Sequence, residues 1–489
     1  MYETISKIIN KENIAKDDLN ILCYSKDLAP MPEELLNAYG FLKPNMVIRP
    51  KTTQEISEIL KYAFYQKIPI TTRAGGTWAL GGTIPIEGGI VIDVSSLNKI
   101  LEFNKEDEYI KVQSGVIWKH LMDYLEKENF QVGANPSSSP SATIGGFIAT
   151  GGAGGIGVSK FNTCGDQIIS MQVILSNGKI IETNPYNSWF FVGSEGTLGI
   201  ITEVTLKTFP LNNKKHFIFG FNNIDEGIEA FQKISNLKPY YLSFIDKNFV
   251  KCLNENNHHF PEKELTVILT INGTKQKLDI LEEKIKEICK KSEIYSNDLA
   301  IEEWENRFKS VLSIKKLGPT IFSPEIQVPI KFIESTLKEL QKLFINRKCA
   351  IEVMANTNEM VTILPILFTD ERNKSDFFKV FSYTKPITNI GYKNKGCIYG
   401  IGLYNTPHME KIHKNGFKIM KEIRKNLDPH NILNPSKTTQ IRIPGIFQDL
   451  FMMLMSISPD FVFFVLKVVN SLPKKFIRFG LKIIGGKLR

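Results

Sequence analysis

Several features that would mark a particular class of protein are missing from this sequence. Residues 1–20, MYETISKIINKENIAKDDLN, contain no uninterrupted apolar stretch of the kind that a secretory signal requires, so we expect a cytoplasmic location. The six cysteines lie far apart, without the close spacing of zinc or iron–sulfur ligands or the context of a disulfide framework. We therefore expect buried free thiols and no metal cluster.

The common nucleotide-binding patterns are absent as well. The chain has no GxxxxGK(S/T) loop and no GxGxxG motif with an acidic residue about 20 positions further on. This disfavours nucleoside triphosphates and nicotinamide cofactors as ligands.

Positive charge is concentrated at the C-terminal end. The net charge is +10, and from residue 441 onward eight basic residues face two acidic ones, so this segment alone supplies +6. The first 440 residues are therefore close to electrical balance, and we expect no nucleic-acid partner.

The same C-terminal segment has two halves of different character. Residues 450–466, LFMMLMSISPDFVFFVL, are strongly apolar, but Pro459 and Asp460 interrupt them, and a spanning helix needs about 20 apolar residues. The second half, KVVNSLPKKFIRFGLKIIGGKLR, interleaves basic and apolar residues as an interfacial helix does. We expect residues 441–489 to hold the chain on the inner face of a membrane. The alternative is a helical pair packed on the protein's own body or on a partner subunit.

Residues 40–211 alternate strand and helix patterns. Short β-branched runs predict strands at NMVIRP, KIPITTRA, GGIVIDV and YIKVQSGV, and helical periodicity marks TTQEISEILKYAFYQK and VIWKHLMDYLEKEN. Asn177 and Gly178 predict a hairpin with a type I′ turn. The fold class is therefore expected to be α+β.

The rest of the chain divides by changes in composition and pattern. Glycine becomes rarer after residue 211, and longer strands and helices alternate, as in LTVILTING followed by QKLDILEEKIKEICKK. A further helix is expected from Pro407 to Leu427. We predict an N-terminal helical segment (1–39), a first domain (40–211), a second domain (212–395), a C-terminal return to the first domain (396–440) and the basic tail (441–489).

Three glycine-rich segments are the strongest chemical signal. The first, Arg73-Ala74-Gly75-Gly76-Thr77, directly follows a predicted strand, where glycines let backbone N–H groups converge on an anion. The others are ATIGGFIATGGAGGIG, residues 142–157, and GSEGTLGIITE, residues 193–203.

Together with DPHNILNPSK (residues 428–437), these segments resemble, in order and spacing, the flavin domain of the vanillyl-alcohol-oxidase-like superfamily, also called the PCMH-type FAD-binding fold. The family patterns R-G-G-G-T, T-I-G-G, G-S-E-G-T-L-G-I-I-T-E and D-P-x-x-I-L-N-P-G-K are matched at residues 73–77, 143–146, 193–203 and 428–437. The resemblance covers roughly residues 40–440. It implies a two-part FAD-binding domain, an α/β cap domain that binds substrate, and a C-terminal helical tail.

The resemblance also implies a set of cofactor contacts. The first loop would hold the pyrophosphate, the second the ribityl chain and isoalloxazine, and the third the adenine, with the last motif closing the site. The implied residues are Arg73, Gly75, Gly76, Thr77, Trp78, Thr143, Ile144, Gly145, Gly146, Thr150, Gly151, Gly154, Gly155, Gly199, Ile201, Asn434 and Lys437. Thr77 stands where members with covalent flavin carry the linking histidine, so we expect non-covalent FAD.

Among these relatives, the sequence is most similar to the D-lactate and glycolate dehydrogenase branch, which passes hydride from C2 of a D-2-hydroxy acid to the flavin. Arg307 in EEWENRF matches the W-x-x-R of this branch and would bind the substrate carboxylate. Metal-dependent members carry H-x-G-D-G-N-x-H and E-H-G-I-G. The corresponding segments here, IEVMANTNEMVTIL and residues 398–402, have no histidine, so no metal is expected.

Tyr399 then occupies the catalytic position. A phenol, with its usual pKa of about 10, is a poor base at neutral pH unless a cationic site lowers that pKa, although it can still orient the hydroxyl. His408 and His413 are alternative bases.

The expected function is FAD-dependent oxidation of a D-2-hydroxy acid, with electrons passed to a quinone or a partner subunit. Two alternatives are a non-catalytic flavin-binding subunit of a redox complex and a flavoenzyme resembling alkylglycerone-phosphate synthase.

Overall fold

The computed structural model describes residues 1–440, except 153, 257 and 358, and five residues of the tail: 454, 462, 465, 466 and 468. The rest of the segment 441–489, on which the predicted membrane-binding helix depends, lies outside the described residues.

The N-terminal half begins with short elements that lead into a four-stranded sheet. The helices are Tyr2–Ile8, Asp18–Cys23 and Glu33–Ala38, with a 3-10 turn at Lys11–Asn13. The strands of this first sheet lie in the order Ile14–Ala15, Met46–Ile48, Ile90–Asp93, Ile70–Arg73.

The last three strands of the first sheet are parallel to one another. Helix Thr53–Gln66 makes the crossover between two of them, and a capping box between Thr52 and Glu55 starts it. The strands and the helix predicted in this region are confirmed.

A second sheet of five antiparallel strands follows. Its order is Ile100–Asn104, Tyr109–Gln113, Ile200–Lys207, Ile168–Ile174, Ile180–Glu182. Helix Trp118–Lys127, also predicted, buries Trp118, Leu121 and Leu125. The smaller elements are helices Ile144–Ala149 and Val158–Phe161, 3-10 turns Cys164–Gln167 and Ser188–Phe190, and paired strands Phe130–Gln131 and Phe209–Pro210.

The predicted hairpin forms between Ile168–Ile174 and Ile180–Glu182, but its turn differs from the prediction. A type I′ turn needs positive φ at both central residues, and of the pair only Gly178 has it, at 81°. The carbonyl oxygen of Leu175 accepts a hydrogen bond from Gly178 N, and the backbone N–H of Leu175 donates one to Lys179 O, each at 2.9 Å. The connection is therefore a three-residue loop with glycine in the left-handed conformation.

The cap domain is built on a nine-stranded antiparallel sheet, here called the large sheet. Its path is Glu293–Ile294, Asn213–Phe221, Leu265–Gly273, Tyr241–Asp246, Cys349–Ala355, Met360–Thr369, Ile326–Pro329, Cys397–Ile398, and Thr320–Phe322 also pairs with Met360–Thr369. Its helices are Ile224–Ser235, Lys247–Asn254, Lys275–Ile288, Asn297–Asn306, Ser310–Ile314, Ile333–Leu343, Lys374–Ser382 and Thr384–Lys393, with 3-10 turns Lys315–Leu317 and Ile330–Phe332.

A second prediction, of one continuous helix in the C-terminal return, is wrong. The single helix expected from Pro407 to Leu427 is broken into 3-10 turn Thr406–His408 and helices Met409–His413 and Gly416–Leu427, preceded by Gly402–Asn405. Lys414 adopts φ of 49°, which an α-helix does not allow, and this separates the last two helices. Beyond them, Leu433 pairs in parallel with Ile70 and brings the last motif beside the first sheet.

One apolar core joins the cap domain to parts of the chain outside it. Met31 and Phe41 of the N-terminal region pack in the same core as Phe231 and Phe244. Among the described tail residues, Val462 and Leu466 are buried in this core, whereas Val465 and Val468 are exposed.

The α+β class is confirmed. Four cysteines are buried as expected, Cys397 is half-buried and Cys23 is exposed.

The described residues contain no helix that is both long enough and apolar enough to cross a membrane.

Candidate functional site

One cavity brings the three glycine-rich segments together with the large sheet. It encloses ≈ 1330 Å³ of empty space, part of it open to solvent. Its lining comes from residues 72–78 and 82–83, from parts of the segments 136–155 and 195–201, from Val94, Ser114 and Asn434, and from Glu325, Met354, Leu364 and Tyr399 of the cap side. Four motifs that are distant in the sequence therefore share one site.

The first glycine loop turns at a position whose backbone conformation favours glycine. Gly76 has φ of 60°, and a Cβ there would lie 2.6 Å from Nη2 of Arg73. A Cβ on Gly75 would collide with the carbonyl oxygen of Ser141. Bare backbone at these two positions keeps the peptide groups close to whatever occupies the cavity.

The second segment is shaped by a cap and by close packing. Thr143 Oγ1 accepts from Gly146 N at 3.3 Å and starts helix Ile144–Ala149. Farther along, any Cβ on Gly154 would collide with the hydroxyl of Tyr399. The second loop therefore lies directly against the cap-side tyrosine.

The third segment is tied to the first loop and to the C-terminal return. Asn434 Nδ2 donates to the carbonyl oxygens of Glu195 at 2.7 Å and Gly82 at 3.0 Å. The Glu195 carboxylate accepts from Gly402 N at 2.7 Å, and burial raises its pKa to about 7. These bonds fix the third loop beside the first.

Four buried polar atoms of the cavity lining have no hydrogen-bond partner within the described part of the chain. They are Trp78 Nε1, Ser114 Oγ, Glu195 Oε2 and Asn434 Oδ1. Buried polar groups are nearly always paired in native proteins. The cavity therefore suits a large ligand that carries many hydrogen-bonding groups, and FAD is such a ligand.

Most of the predicted cofactor residues line this cavity. They are Arg73, Gly75, Gly76, Thr77, Trp78, Thr143, Gly145, Gly146, Thr150, Gly154, Gly155, Gly199, Ile201 and Asn434. Ile144, Gly151 and Lys437 do not. Ile144 is a core residue, and Lys437 is fully buried with Nζ donating to Ile84 O at 2.8 Å. Burial lowers the pKa of Lys437 to about 8.

Tyr399, the predicted catalytic residue, lines the cavity, but its electrostatic environment is the opposite of that required for a base. Burial, together with the neighbouring Glu325 carboxylate, raises the pKa of its phenol well above the ordinary value. No cationic neighbour lowers it among the described residues that act on it. The phenol therefore stays protonated at neutral pH and can donate a hydrogen bond, but it does not act as a base.

The predicted carboxylate anchor lies outside the cavity lining. Arg307 follows helix Asn297–Asn306, and its Cζ lies 4.0 Å from the ring centre of Trp304 and 4.1 Å from that of Phe308. Burial lowers its pKa, and Nε has no hydrogen-bond partner in the described region. The alternative bases His408 and His413 are not in the lining either.

Glu325 is a functional candidate that sequence reasoning missed. It flanks strand Ile326–Pro329, lines the cavity, and belongs to none of the flavin motifs. Burial, with the nearby Glu352 carboxylate, raises the pKa of Glu325 to about 7. The only signal in the sequence is an acidic residue placed directly before an apolar strand.

No group of three or more His, Cys, Asp or Glu side chains suited to a metal ion occurs among the residues that the structure describes.

Comparison with known proteins places this site in a family. The model for an FAD binding domain matches residues 44–184, and that for the C-terminal domain of FAD linked oxidases matches residues 211–438. The glycolate oxidase subunit GlcD of Bacillus subtilis (strain 168) is 30% identical over 459 residues, covering 89% of this chain and 96% of the relative. The chain belongs to the FAD-linked oxidases. FAD is therefore its cofactor, and the prediction of an FAD-dependent oxidoreductase is confirmed.

Two further similarities extend over most of this FAD-linked oxidase. The mitochondrial D-lactate dehydrogenase (cytochrome) of Kluyveromyces lactis is 24% identical over 478 residues, covering 90% of this chain and 82% of the relative. The crystal structure of p-cresol methylhydroxylase with substrate bound superposes with a TM-score of 0.77 at 15% identity, covering 90% and 96% of the two chains. The PCMH-type fold is thereby confirmed.

Proposed function

We propose that this FAD-linked oxidase is a dehydrogenase for a D-2-hydroxy acid of the D-lactate or glycolate type. The observation that carries the proposal is the position of Glu325 beside Tyr399 on the lining of the cavity that the flavin motifs form. The names of the relatives, a glycolate oxidase subunit and a D-lactate dehydrogenase, support the substrate class.

The protein side of the reaction is a proton transfer. Bound FAD supplies the hydride acceptor. Glu325 takes the proton of the substrate hydroxyl, for which a carboxylate with a pKa of about 7 is well matched to neutral pH. Because it lines the cavity, Glu325 reaches the substrate without a rearrangement of the large sheet.

Tyr399 has an orienting role in this proposal. Its protonated phenol donates a hydrogen bond to the substrate hydroxyl oxygen and turns the hydroxyl proton toward Glu325. The contact of the phenol with Gly154 limits where the ring can move, and so keeps the donor in one place.

Arg307 remains the proposed partner of the substrate carboxylate. Among the described residues its Nε has no hydrogen-bond partner and so leaves a donor for a ligand, and a guanidinium binds a carboxylate through two parallel hydrogen bonds. Since the guanidinium rests on Trp304 and Phe308, it has to leave these rings to meet a substrate in the cavity.

Non-covalent attachment of FAD also remains a proposal. Thr77 lines the cavity at the position of the linking histidine, and the described lining residues include neither histidine nor cysteine. After acid precipitation, the flavin should stay in the supernatant, whereas colour in the pellet would contradict the proposal.

Three further proposals concern the domain boundaries, the electron acceptor and the C-terminal tail. We keep the division at residues 39, 211, 395 and 440, and transfer of electrons to a quinone or a partner protein. Burial of Val462 and Leu466 in the cap core supports packing of these two residues on the protein's own body. Membrane attachment is therefore proposed for the basic half, residues 467–489.

A dye-reduction screen tests the proposed substrate class. Purified enzyme is assayed with and without oxygen against D-lactate, L-lactate, glycolate and D-2-hydroxyglutarate. Turnover with a D-enantiomer or with glycolate, and at least about tenfold less with L-lactate, is expected. Equal turnover of D-lactate and L-lactate, or no reaction with any hydroxy acid, would contradict the proposed substrate class.

A further inference from the structure

Residues 24–29, here called the strap, lie directly behind the first glycine loop. Three consecutive strap residues each bind a different residue of the cavity lining, and the strap itself is not part of that lining. The pairs are Lys26 O with Arg73 Nη1, Asp27 Oδ2 with Thr83 N at 3.2 Å, and Leu28 N with Trp78 O at 3.3 Å. The strap therefore contacts the start, the middle and the end of the loop.

The strap is in turn fixed to the first sheet by Tyr24. The Tyr24 hydroxyl donates to the carboxylate of Asp93, at the end of strand Ile90–Asp93. The ring centre of Tyr24 lies 5.1 Å from Cζ of Arg73, a cation–π arrangement. Because the turn at Gly76 packs against the same guanidinium, the position of Arg73 decides the shape of the loop.

Asp27 makes the central bonds of the strap. One carboxylate oxygen accepts from Ala29 N at 2.9 Å, and the other accepts from both N and Oγ1 of Thr83, at 3.2 and 3.4 Å. Hydrogen bonds to an ionised carboxylate are stronger than neutral ones. Burial raises the pKa of Asp27, whereas the positive charges of Lys437 and Arg73 act in the opposite direction.

We propose that Asp27 is a positioning residue for the flavin. It does not line the cavity, and it acts by holding residues 73–83 in the conformation that receives FAD. The strap thus sets the affinity of the enzyme for its cofactor, a role beyond that of an N-terminal helical segment. This inference rests on FAD binding and is independent of the substrate.

The test compares cofactor affinity with stability. Asp27→Ala removes the three hydrogen bonds, and Asp27→Asn keeps a neutral acceptor in nearly the same place. Asp17→Ala is the matched control, because Asp17 caps helix Asp18–Cys23 just before the strap and does not line the cavity. For each apoprotein, flavin-fluorescence quenching gives the FAD dissociation constant, and thermal unfolding gives the Tm.

Asp27→Ala is expected to raise the dissociation constant by about 10-fold or more, which corresponds to loss of charge-assisted hydrogen bonds. Asp27→Asn is expected to give a smaller rise, and Asp17→Ala no rise. The apoprotein Tm of the two Asp27 variants should fall no further than that of Asp17→Ala. Unchanged FAD affinity in Asp27→Ala, or an equal loss in Asp17→Ala, would overturn the proposal. If Asp27→Ala does not fold, an unchanged dissociation constant in Asp27→Asn overturns it instead.

Discussion

The backbone N–H of Tyr399 donates to the carbonyl oxygen of Glu325 at 3.1 Å, and both side chains line the flavin cavity. The two residues are neighbours because strands Ile326–Pro329 and Cys397–Ile398 pair in antiparallel register, with Ile326 opposite Ile398. This short ladder places a carboxylate beside a protonated phenol.

Replacing Glu325 with Gln should lower kcat by ~10² or more, because the amide cannot take a proton. Flavin content should not change, since Glu325 belongs to no flavin loop. Glu334→Gln, an exposed residue of helix Ile333–Leu343, is the matched control and should keep the wild-type rate. A Glu325→Gln enzyme with normal kcat would exclude the carboxylate as the base.

Tyr399→Phe should lower kcat by about 10-fold, the effect of one lost hydrogen bond to the reacting group. The pH profile of kcat/KM should keep its shape, because the pKa of the phenol lies above the working range. Steady-state rates across the pH range check both points. If the fall of kcat/KM at low pH (the acidic limb of the profile) disappeared in this variant, Tyr399 would be the group whose titration causes that fall.

The acidic limb of kcat/KM should report Glu325. The carboxylate must be ionised to act, so the rate should rise with pH and level off above the pKa of about 7. Glu352 is opposite Leu364, which lines the cavity, and its negative charge helps to raise this pKa.

Glu352→Gln should therefore lower the pKa of Glu325 and move the acidic limb to lower pH. Tyr399 and Glu352 are the titratable groups next to Glu325, while Glu303 and Tyr241 face Glu352. None of these groups is cationic, so among the described neighbours nothing offsets the loss of charge. If the acidic limb of the kcat/KM profile stayed in place or moved to higher pH, the charge of Glu352 would not be what raises the pKa of Glu325.

Gly76→Val should abolish flavin binding, because a side chain at φ of 60° is strained and would strike the guanidinium of Arg73. Gly416→Ala is the control, since a Cβ on Gly416 meets no atom within 4 Å. Flavin absorbance per protein should be near zero in the first variant and normal in the second. A yellow Gly76→Val protein would show that the loop does not hold the cofactor.

The flavin half of the site was predictable from the sequence because each motif is short and carries its own geometry. Gly76, Thr143 and Asn434 were each recognised inside a contiguous pattern, and all three line the cavity. Lys437 belongs to such a pattern too, but its side chain points into the protein interior, where Nζ donates to the carbonyl oxygen of Ile84.

The catalytic half depends on long-range register, which the sequence does not display. Glu325 reaches the cavity only because its strand pairs with two others, and the pKa of Tyr399 follows from that neighbour. The left-handed conformation of Lys414, which breaks the helix expected from Pro407 to Leu427, could not be predicted from the sequence either. Strand and helix positions in residues 40–211 could be predicted because local periodicity decides them.

Anaerobic mixing of the purified enzyme with a single D-2-hydroxy acid, followed by the absorbance of the bound flavin, tests the account most directly. Complete bleaching of oxidised flavin by D-lactate or glycolate is expected, slowed by ~10² or more in Glu325→Gln, with the Glu334→Gln control behaving as wild type. Flavin that stays oxidised with every hydroxy acid, or bleaching equally fast in Glu325→Gln, would contradict it.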